Sequence, residues 1–155
     1  MPSWKKIVTE DYVDSNVYDI KNFGFNFGSP ALTKVYVPLN GGSSDYTSNV
    51  GRNEFHTFVA PYDGYLSKIM MRTSVWSGIT ELGFHKASDG TAEPSTTASA
   101  SVTVTMSTAD ITYAFAFGSA SAPFSKGDII NISFKPYRNP ADVNGTAVFI
   151  YDITT

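Results

Sequence analysis

From about residue 33 onward, apolar and polar residues alternate in short runs. The clearest runs are "SVTVTM" and "ITYAFAF", in which large apolar side chains occupy every second position. A period of two places successive side chains on opposite faces of a β-strand. The pattern predicts eight strands, over residues 33–37, 54–60, 65–73, 79–86, 101–106, 111–117, 128–134 and 145–153.

The spacing of these runs indicates an all-β protein. No stretch of ten or more residues has the period of an amphipathic helix, and most strands are separated by short turn-rich segments. Eight antiparallel strands in two sheets predict a β-sandwich domain over residues 33–155, and we favour a jelly roll. Because alternation does not fix the strand order, an immunoglobulin-like sandwich is the alternative.

Residues 1–32 form a separate N-terminal segment with no sustained period. Within it Phe23, Phe25 and Phe27 are spaced by two, so an extended chain would direct all three rings to one side. One interpretation is an edge strand that adds to the protein's own core. The other is an extended arm whose rings dock on a neighbour, and Trp4 favours the arm because an exposed indole would otherwise serve no purpose.

The stretch "FVAPYDGYLSKIMMRTS" contains a corner between two apolar runs. Pro61 cannot donate to a strand ladder, Asp63 can bond nearby N–H groups, and Gly64 can adopt a positive φ. These three residues predict a strand connection in place of a chemical site. Tyr62 and Tyr65 each add an apolar ring with a hydroxyl tip, which suits a subunit contact or a sugar.

Composition narrows the chemistry further. The 155 residues include only 16% charged residues, with a net charge of -3, which gives no electrostatic footprint for nucleic acid. There is no cysteine for a thiolate nucleophile or a cysteine-based zinc site. No apolar run reaches the ~20 residues of a membrane-spanning helix, and no secretory signal is visible. We therefore expect a protein made in a cytoplasm, with no nucleic-acid or membrane partner.

Candidate catalytic residues do not form a recognisable group. His56 and His85 both fall inside predicted strands, and no G-x-S-x-G nucleophile elbow is present. Glu54, Glu81 and Glu93 are the candidates for a carboxylate pair, but they form no constellation that marks a glycosidase. The sequence predicts no catalytic residue, no cofactor and no metal, and hence a protein that works by contact.

Several stretches together resemble a domain of virion structural proteins from marine tailed phages, especially cyanophages. They are "MPSWKKIVTE", the corner quoted above, "HKASDGTAEPSTT" and "AFAFGSASAPFSKGDIINISFKPYRNPADVNGTAVFIYDI", in this order. The resemblance covers about residues 54–153 and the first ten, and it implies a non-enzymatic virion component of the capsid decoration (cement) or fibre type. The chain has no repetitive shaft, which favours decoration.

The leading hypothesis is therefore a decoration protein, a homotrimer on the capsid surface of the virion. It would bind the outside of the head and stabilise contacts between major capsid proteins. The predicted capsid or subunit contacts are Trp4, Phe23, Phe25, Phe27, Tyr62, Tyr65 and Trp76. The alternative is a head or tail fibre tip that binds a host receptor or surface glycan, through Tyr62, Tyr65, Trp76, Tyr137 and Arg138.

Overall fold

The computed structural model describes residues 18–28, 32–40, 56–88 and 93–153, and all regular structure in these ranges is β-strand. The ten strands are β1 Tyr18–Phe27, β2 Val35–Tyr36, β3 Thr57–Val59, β4 Asp63–Arg72, β5 Gly78–Ala87, β6 Ala100–Met106, β7 Tyr113–Ala116, β8 Pro123–Phe124, β9 Ile129–Lys135 and β10 Val143–Asp152.

The strands form two antiparallel sheets. The front sheet has the order β1-β10-β4-β7, and β8 also pairs with β4. The back sheet has the order β2-β9-β5-β6, and β3 also pairs with β9. Because β2 and β3 pair with successive parts of one neighbour, they are two halves of an interrupted strand. The same holds for β7 and β8 along β4.

With each interrupted pair counted once, eight strands remain, and their order is that of a jelly roll. The front sheet then contains the first, eighth, third and sixth strands, and the back sheet the second, seventh, fourth and fifth. Two nested Greek keys generate this arrangement. The predicted jelly roll is therefore confirmed, and the immunoglobulin-like alternative is excluded because its strand order is different.

The core lies between the sheets and is rich in phenylalanine. Phe124 joins the two layers, with its ring 5.9 Å from that of Phe149 and 6.4 Å from that of Phe84. The buried side chains of the strands include Leu66, Ile69, Met71, Leu82, Phe84, Phe115, Ile130, Ile132, Phe134, Ala147, Phe149 and Tyr151. Each large side chain buried here contributes roughly 1.5–3 kcal/mol, which makes this cluster the main source of stability.

The N-terminal ring row belongs to the protein's own sandwich. β1 pairs with β10 along its whole length, from Tyr18 opposite Asp152 to Phe27 opposite Val143. Phe25 and Phe27 are buried in the core, and Phe23 stacks on Phe58 at 4.8 Å. For Phe25 and Phe27 the structure replaces the docking arm with an edge strand, because their rings are packed between the sheets. Trp4, the other residue of the predicted arm, lies outside the described residues.

The corner around Asp63 has a structural role, but Asp63 and Gly64 lie in a strand and not in the predicted turn. β4 already begins at Asp63, and Gly64 is not among the positive-φ residues of the described chain. Glycine is required there by space, since a Cβ would lie 2.3 Å from the carbonyl oxygen of Ile150. Asp63 Oδ1 accepts a 2.7 Å hydrogen bond from the Lys126 amide, so it caps the "FSKGD" corner, 63 residues away.

The two corners are also joined through their backbones. Ala60 N–H donates to the Asp128 carbonyl at 2.8 Å, and Gly127 N–H donates back to the Ala60 carbonyl at 2.9 Å. Gly127 has a φ of 88°, which a residue with a side chain rarely adopts. The motifs that carry the phage resemblance therefore build a joint between the two sheets.

A stretch of the chain covers part of the outer face of the back sheet. We call residues 93–99 the cover segment. The ring of His85 anchors it, with Nδ1 2.8 Å from the Ser95 carbonyl oxygen and Nε2 2.8 Å from Ser133 Oγ. Ser99 N–H donates to the Phe84 carbonyl at 2.8 Å. His85 faces away from the main core, as the alternation predicts, yet it is fully buried beneath this segment.

Candidate functional site

The residues proposed for contact fall into three separate places. Tyr62 precedes β4 and Trp76 follows it, and a strand of ten residues spans about 30 Å, so the two rings lie at opposite ends of the sandwich. Tyr65 lies on β4 and faces outward from the front sheet. Trp4 lies outside the described residues. The predicted contact residues therefore do not form a single surface, which the sequence alone could not show.

One place is a cleft among three loops at one end of the sandwich, which we call the loop cleft. It has a volume of 490 Å³. Leu32 comes from the loop between β1 and β2, Val75 and Trp76 from that between β4 and β5, and the rest from that between β9 and β10. The residues that line it are Leu32, Val75, Trp76, Tyr137, Arg138 and Asn139.

Two of these loops are fastened to each other by their backbones. The Ser77 carbonyl accepts hydrogen bonds from the amides of Tyr137 and Arg138, at 3.2 and 3.0 Å. Gly78, with a φ of 70°, lets the Tyr137 ring pack where a Cβ would stand, 3.2 Å from Cδ1. The β4–β5 loop therefore fixes the position of the β9–β10 loop, and these contacts hold two walls of the loop cleft in place.

The side chains of the loop cleft are open to solvent. Trp76 is 41% exposed and Tyr137 is 66% exposed. The guanidinium carbon of Arg138 lies 4.3 Å from the centre of the Trp76 ring, a cation–π contact. No carboxylate in the described ranges forms an ion pair with Arg138. The cleft thus offers two aromatic rings and one positive charge that has no acidic partner there.

The second place is the outer surface of the front sheet, which we call the front face. Ile20 lies opposite Ile150, Ile150 opposite Tyr65, and Tyr65 opposite Pro123. These four outward side chains form an apolar row across four strands. Ile20 is 58% exposed at its end of the row. The row contains Tyr65, one of the predicted contact residues.

Beside the apolar row, the front face is recessed and nearly free of charge. Gly24 carries no side chain, and around it lies a shallow depression of 630 Å³ whose lining includes Asn26, Met70 and Thr146, with Arg72 as its one charged residue. Among the described outward-facing residues, Lys68 is the one charged side chain between the acidic residues at one end of the sheet and Arg72 at the other. Such a surface can approach another protein without removing many charges from water.

The third place is the end of the sandwich opposite the loop cleft, where Tyr62 lies. Its ring is 6.3 Å from that of Tyr151, in an edge-to-face arrangement. Burial, with a smaller effect of the Asp19 charge, raises the pKa of Tyr151 to about 12. Tyr62 therefore covers the margin of the core, and the structure gives it no partner in the loop cleft.

The histidines do not form a reactive centre. Both are buried, and burial lowers the pKa of His85 below its ordinary value of 6.5. The His85 ring is engaged by the cover segment and Ser133, which keeps it as a structural anchor. In the described part of the chain, histidines and acidic residues form no group of three that could hold a metal. Across the same residues, the structure has no helix able to cross a membrane.

Sequence reasoning missed several residues of both surfaces. Ile20 and Ile150 could have been found from the phenylalanine row, because they occupy the opposite parity in β1 and β10. Leu32, Val75 and Asn139 gave no signal, since short loops carry no periodicity. Trp76, Tyr137 and Arg138 were named, but their proximity depends on the strand order, which brings two distant loops to one end.

Comparison with known proteins assigns no family. No protein-family model matches the chain, and no characterised protein matches it by sequence. Among solved structures, that of infectious bursal disease virus, Gx strain, aligns with a TM-score of 0.38 and 12% identity, over 90% of this chain and 33% of that one. The naturally occurring empty particles of cowpea mosaic virus (top component) align with a TM-score of 0.33 and 12% identity, over 90% and 85%.

These alignments are too weak to carry an argument about function, and the chain spans about a third of the length of the first one. What is established is the class of fold. The chain is an all-β jelly-roll protein with two antiparallel sheets.

Proposed function

We propose that this chain is a virion structural protein that decorates the capsid, with the major capsid protein as its partner. The observation that carries the proposal is the front face, a broad, almost uncharged sheet surface with the apolar row and a recess beside it. The sequence resemblance to phage virion proteins points in the same direction. A protein of this kind works by adhesion, without a catalytic centre.

The front face is the better candidate for the capsid contact because the back sheet is already partly covered. The cover segment lies over His85 and Ser133, so that part of the back sheet packs against the chain itself. On the front face, the apolar row and the depression are open to solvent. A protruding loop of a capsid subunit would fit the depression, and its apolar side chains would pack on the row.

Adhesion of this type needs only a modest contact. A homotrimer would present three front faces to the head, and the second and third would bind at the high effective concentration set by the first. Contacts that bridge neighbouring capsid subunits would then stabilise the shell. The proposed location is the outer surface of the capsid.

The test is binding of the purified chain to expanded heads, with two matched variants. Ile20→Lys places a charge in the apolar row, and Ile79→Lys makes the same change on the back sheet, where the side chain is 56% exposed against 58% for Ile20. We expect Ile20→Lys to weaken binding by about tenfold or more, because a buried isoleucine contributes roughly 1.5–3 kcal/mol. Ile79→Lys should bind like the wild type.

The outcomes separate the parts of the proposal. Equal binding by both variants would remove the front face as the contact, and failure of the wild-type chain to bind heads would remove the capsid role. Deleting residues 1–17 tests the contact proposed for Trp4 without touching β1. Binding that survives this deletion undiminished would exclude Trp4.

The alternative function, a fibre tip that binds a host surface glycan, is favoured by the loop cleft. Copy number distinguishes the two roles, since a decoration protein is present many times on each head and a fibre tip only a few times. Quantitative mass spectrometry of purified virions, with the major capsid protein as the internal reference, gives this ratio directly.

A further inference from the structure

The loop cleft has the construction of a binding site for a small ligand. Its 490 Å³ is within the range of roughly 300–1,000 Å³ for ligand pockets. It draws residues from three loops, and the Ser77 carbonyl fastens two of them together. The side chain of Ser77 is itself buried and bonded to Thr80 Oγ1 at 2.7 Å, so the platform beneath the rings is anchored in the back sheet.

Arg138 determines what kind of ligand this cleft would attract. Its guanidinium lies over the Trp76 ring at 4.3 Å. Stacking uses the flat face of a guanidinium and leaves its in-plane N–H donors directed outward, where they can pair with a carboxylate through two hydrogen bonds. The stack also restricts the side chain, which lowers the entropy lost on binding. With no acidic partner in the described part of the chain, this donor fork is open to a ligand.

The remaining residues match a sugar ring. A pyranose has an apolar C–H face and a polar hydroxyl edge, and the exposed ring of Tyr137 offers a flat surface for that face. Asn139 adds an amide that can both donate to and accept from hydroxyls. Leu32 and Val75 supply apolar walls without charge. The cleft therefore combines ring stacking with recognition of a single negative charge.

We propose that the loop cleft binds an acidic glycan, with the sugar carboxylate on Arg138, which is held by Trp76, and a pyranose face against Tyr137. The inference goes beyond the capsid role and does not depend on it, because either a decoration protein or a fibre tip could carry such a site.

The start of β1, Tyr18, and the end of β10, Asp152, lie at the end of the front sheet opposite the loop cleft. A C-terminal tag therefore leaves the cleft accessible.

The experiment is a titration of the isolated protein with 3′-sialyllactose, with lactose as the matched neutral probe. Binding is followed by NMR through the indole N–H of Trp76, which W76F distinguishes from that of Trp4, the other tryptophan. We expect 3′-sialyllactose, but not lactose at the same concentration, to shift the Trp76 signal. Added salt should weaken the interaction, because one component is an ion pair at the surface.

Two arginine variants make the test specific. Arg138→Gln should weaken 3′-sialyllactose binding by about tenfold or more, since a bidentate charge-assisted pair is lost. Arg72→Gln removes the same charge at a site where the arginine is paired with Asp110 at 2.9 Å, and it should bind like the wild type. Tyr137→Ala should also lose binding, while Tyr62→Ala at the far end should not.

The proposal is overturned by any of three results. Lactose could shift Trp76 as strongly as 3′-sialyllactose, which would make the cleft a neutral-sugar site. A triglutamate peptide could bind where the glycan does not, which would make it a site for acidic peptides. Finally, the Trp76 signal could stay unchanged with every probe in the folded wild-type protein, which would mean that the loop cleft binds none of these ligands. None of these results depends on the binding of heads.

Discussion

At the scale of single residues, the glycines show how space decides identity in this fold. Gly64 was expected to adopt a positive φ, but it lies in an extended strand. The reason for glycine is a tight approach, since a Cβ would also lie 2.9 Å from Cζ of Phe124. This could not be predicted from sequence because Ile150 and Phe124, which crowd the position, are distant along the chain. The turn pattern therefore indicated a glycine with a positive φ, whereas Gly64 is needed because no side chain fits there.

Gly64→Ala should therefore destabilise the protein. We expect a loss of about 1–3 kcal/mol, the usual cost of forcing extra atoms into a packed site. Gly24→Ala is the matched control in the same sheet, because nothing lies within 4 Å of the added Cβ. It should be neutral or slightly stabilising, since alanine restricts the unfolded chain. Urea unfolding midpoints measure both, and equal midpoints would contradict the steric explanation.

At the scale of elements, prediction succeeded where alternation was strong and failed where pairing was interrupted. β5, β6, β9 and β10 lie within two residues of their predicted ends, because each packs a row of apolar side chains against the core. β2 and β3 are shorter than predicted, and β8 was missed, since two residues are too few to show a period. The cover segment lies between two predicted strands, and nothing local in its sequence indicates that it folds over His85.

The cover segment makes stability depend on the protonation of His85. Burial lowers the pKa of His85, opposed by its bond to the Ser95 carbonyl, while Lys34 lowers it further. The unfolded chain, with an ordinary pKa of 6.5, therefore takes up the proton first as the pH falls. The contribution of His85 to stability is full above 6.5 and is lost as the pH falls through the lower folded-state pKa.

The measurement is the urea midpoint from about pH 8 to about pH 5, for the wild type and His85→Gln. Glutamine cannot titrate, so the stability difference between the two proteins should shrink as the pH falls. Carboxylates affect both proteins alike and cancel in this difference. A difference that stays constant with pH would mean that His85 does not titrate differently in the folded and unfolded states.

At the scale of the whole molecule, the two-sheet sandwich was predictable, whereas the strand order and the arrangement of surfaces were not. Eight alternating runs require two packed sheets, and this fixes the fold class. The loop cleft and the front face arise from the strand order, which places loops distant in sequence at one end. In the same order β1 lies at the edge of the front sheet, and its pairing with β10 shows that residues 18–27 form an edge strand.

The edge of β1 also bears on the proposed homotrimer. In the described part of the chain, β1 pairs with a strand on one side only, which leaves the N–H and C=O groups of every second one of its ten residues without a strand partner. Such an edge promotes association unless it is covered, and a closed ring of copies would cover it. We expect sedimentation equilibrium at micromolar concentration to give three times the chain mass of 16.8 kDa. A single-chain mass under these conditions would contradict the homotrimer.

The position of β10 between β1 and β4 has a consequence for biosynthesis. On the ribosome β1 emerges before the other nine described strands, but the strand that joins it to the rest of its sheet is the last one described. At roughly 5–20 residues per second the nascent chain waits on the order of ten seconds with Phe25 and Phe27 unpacked. Folding of the front sheet is therefore completed only after β10 has been synthesised, and any product cut short before Val143 would keep its aromatic strand exposed to chaperones and proteases.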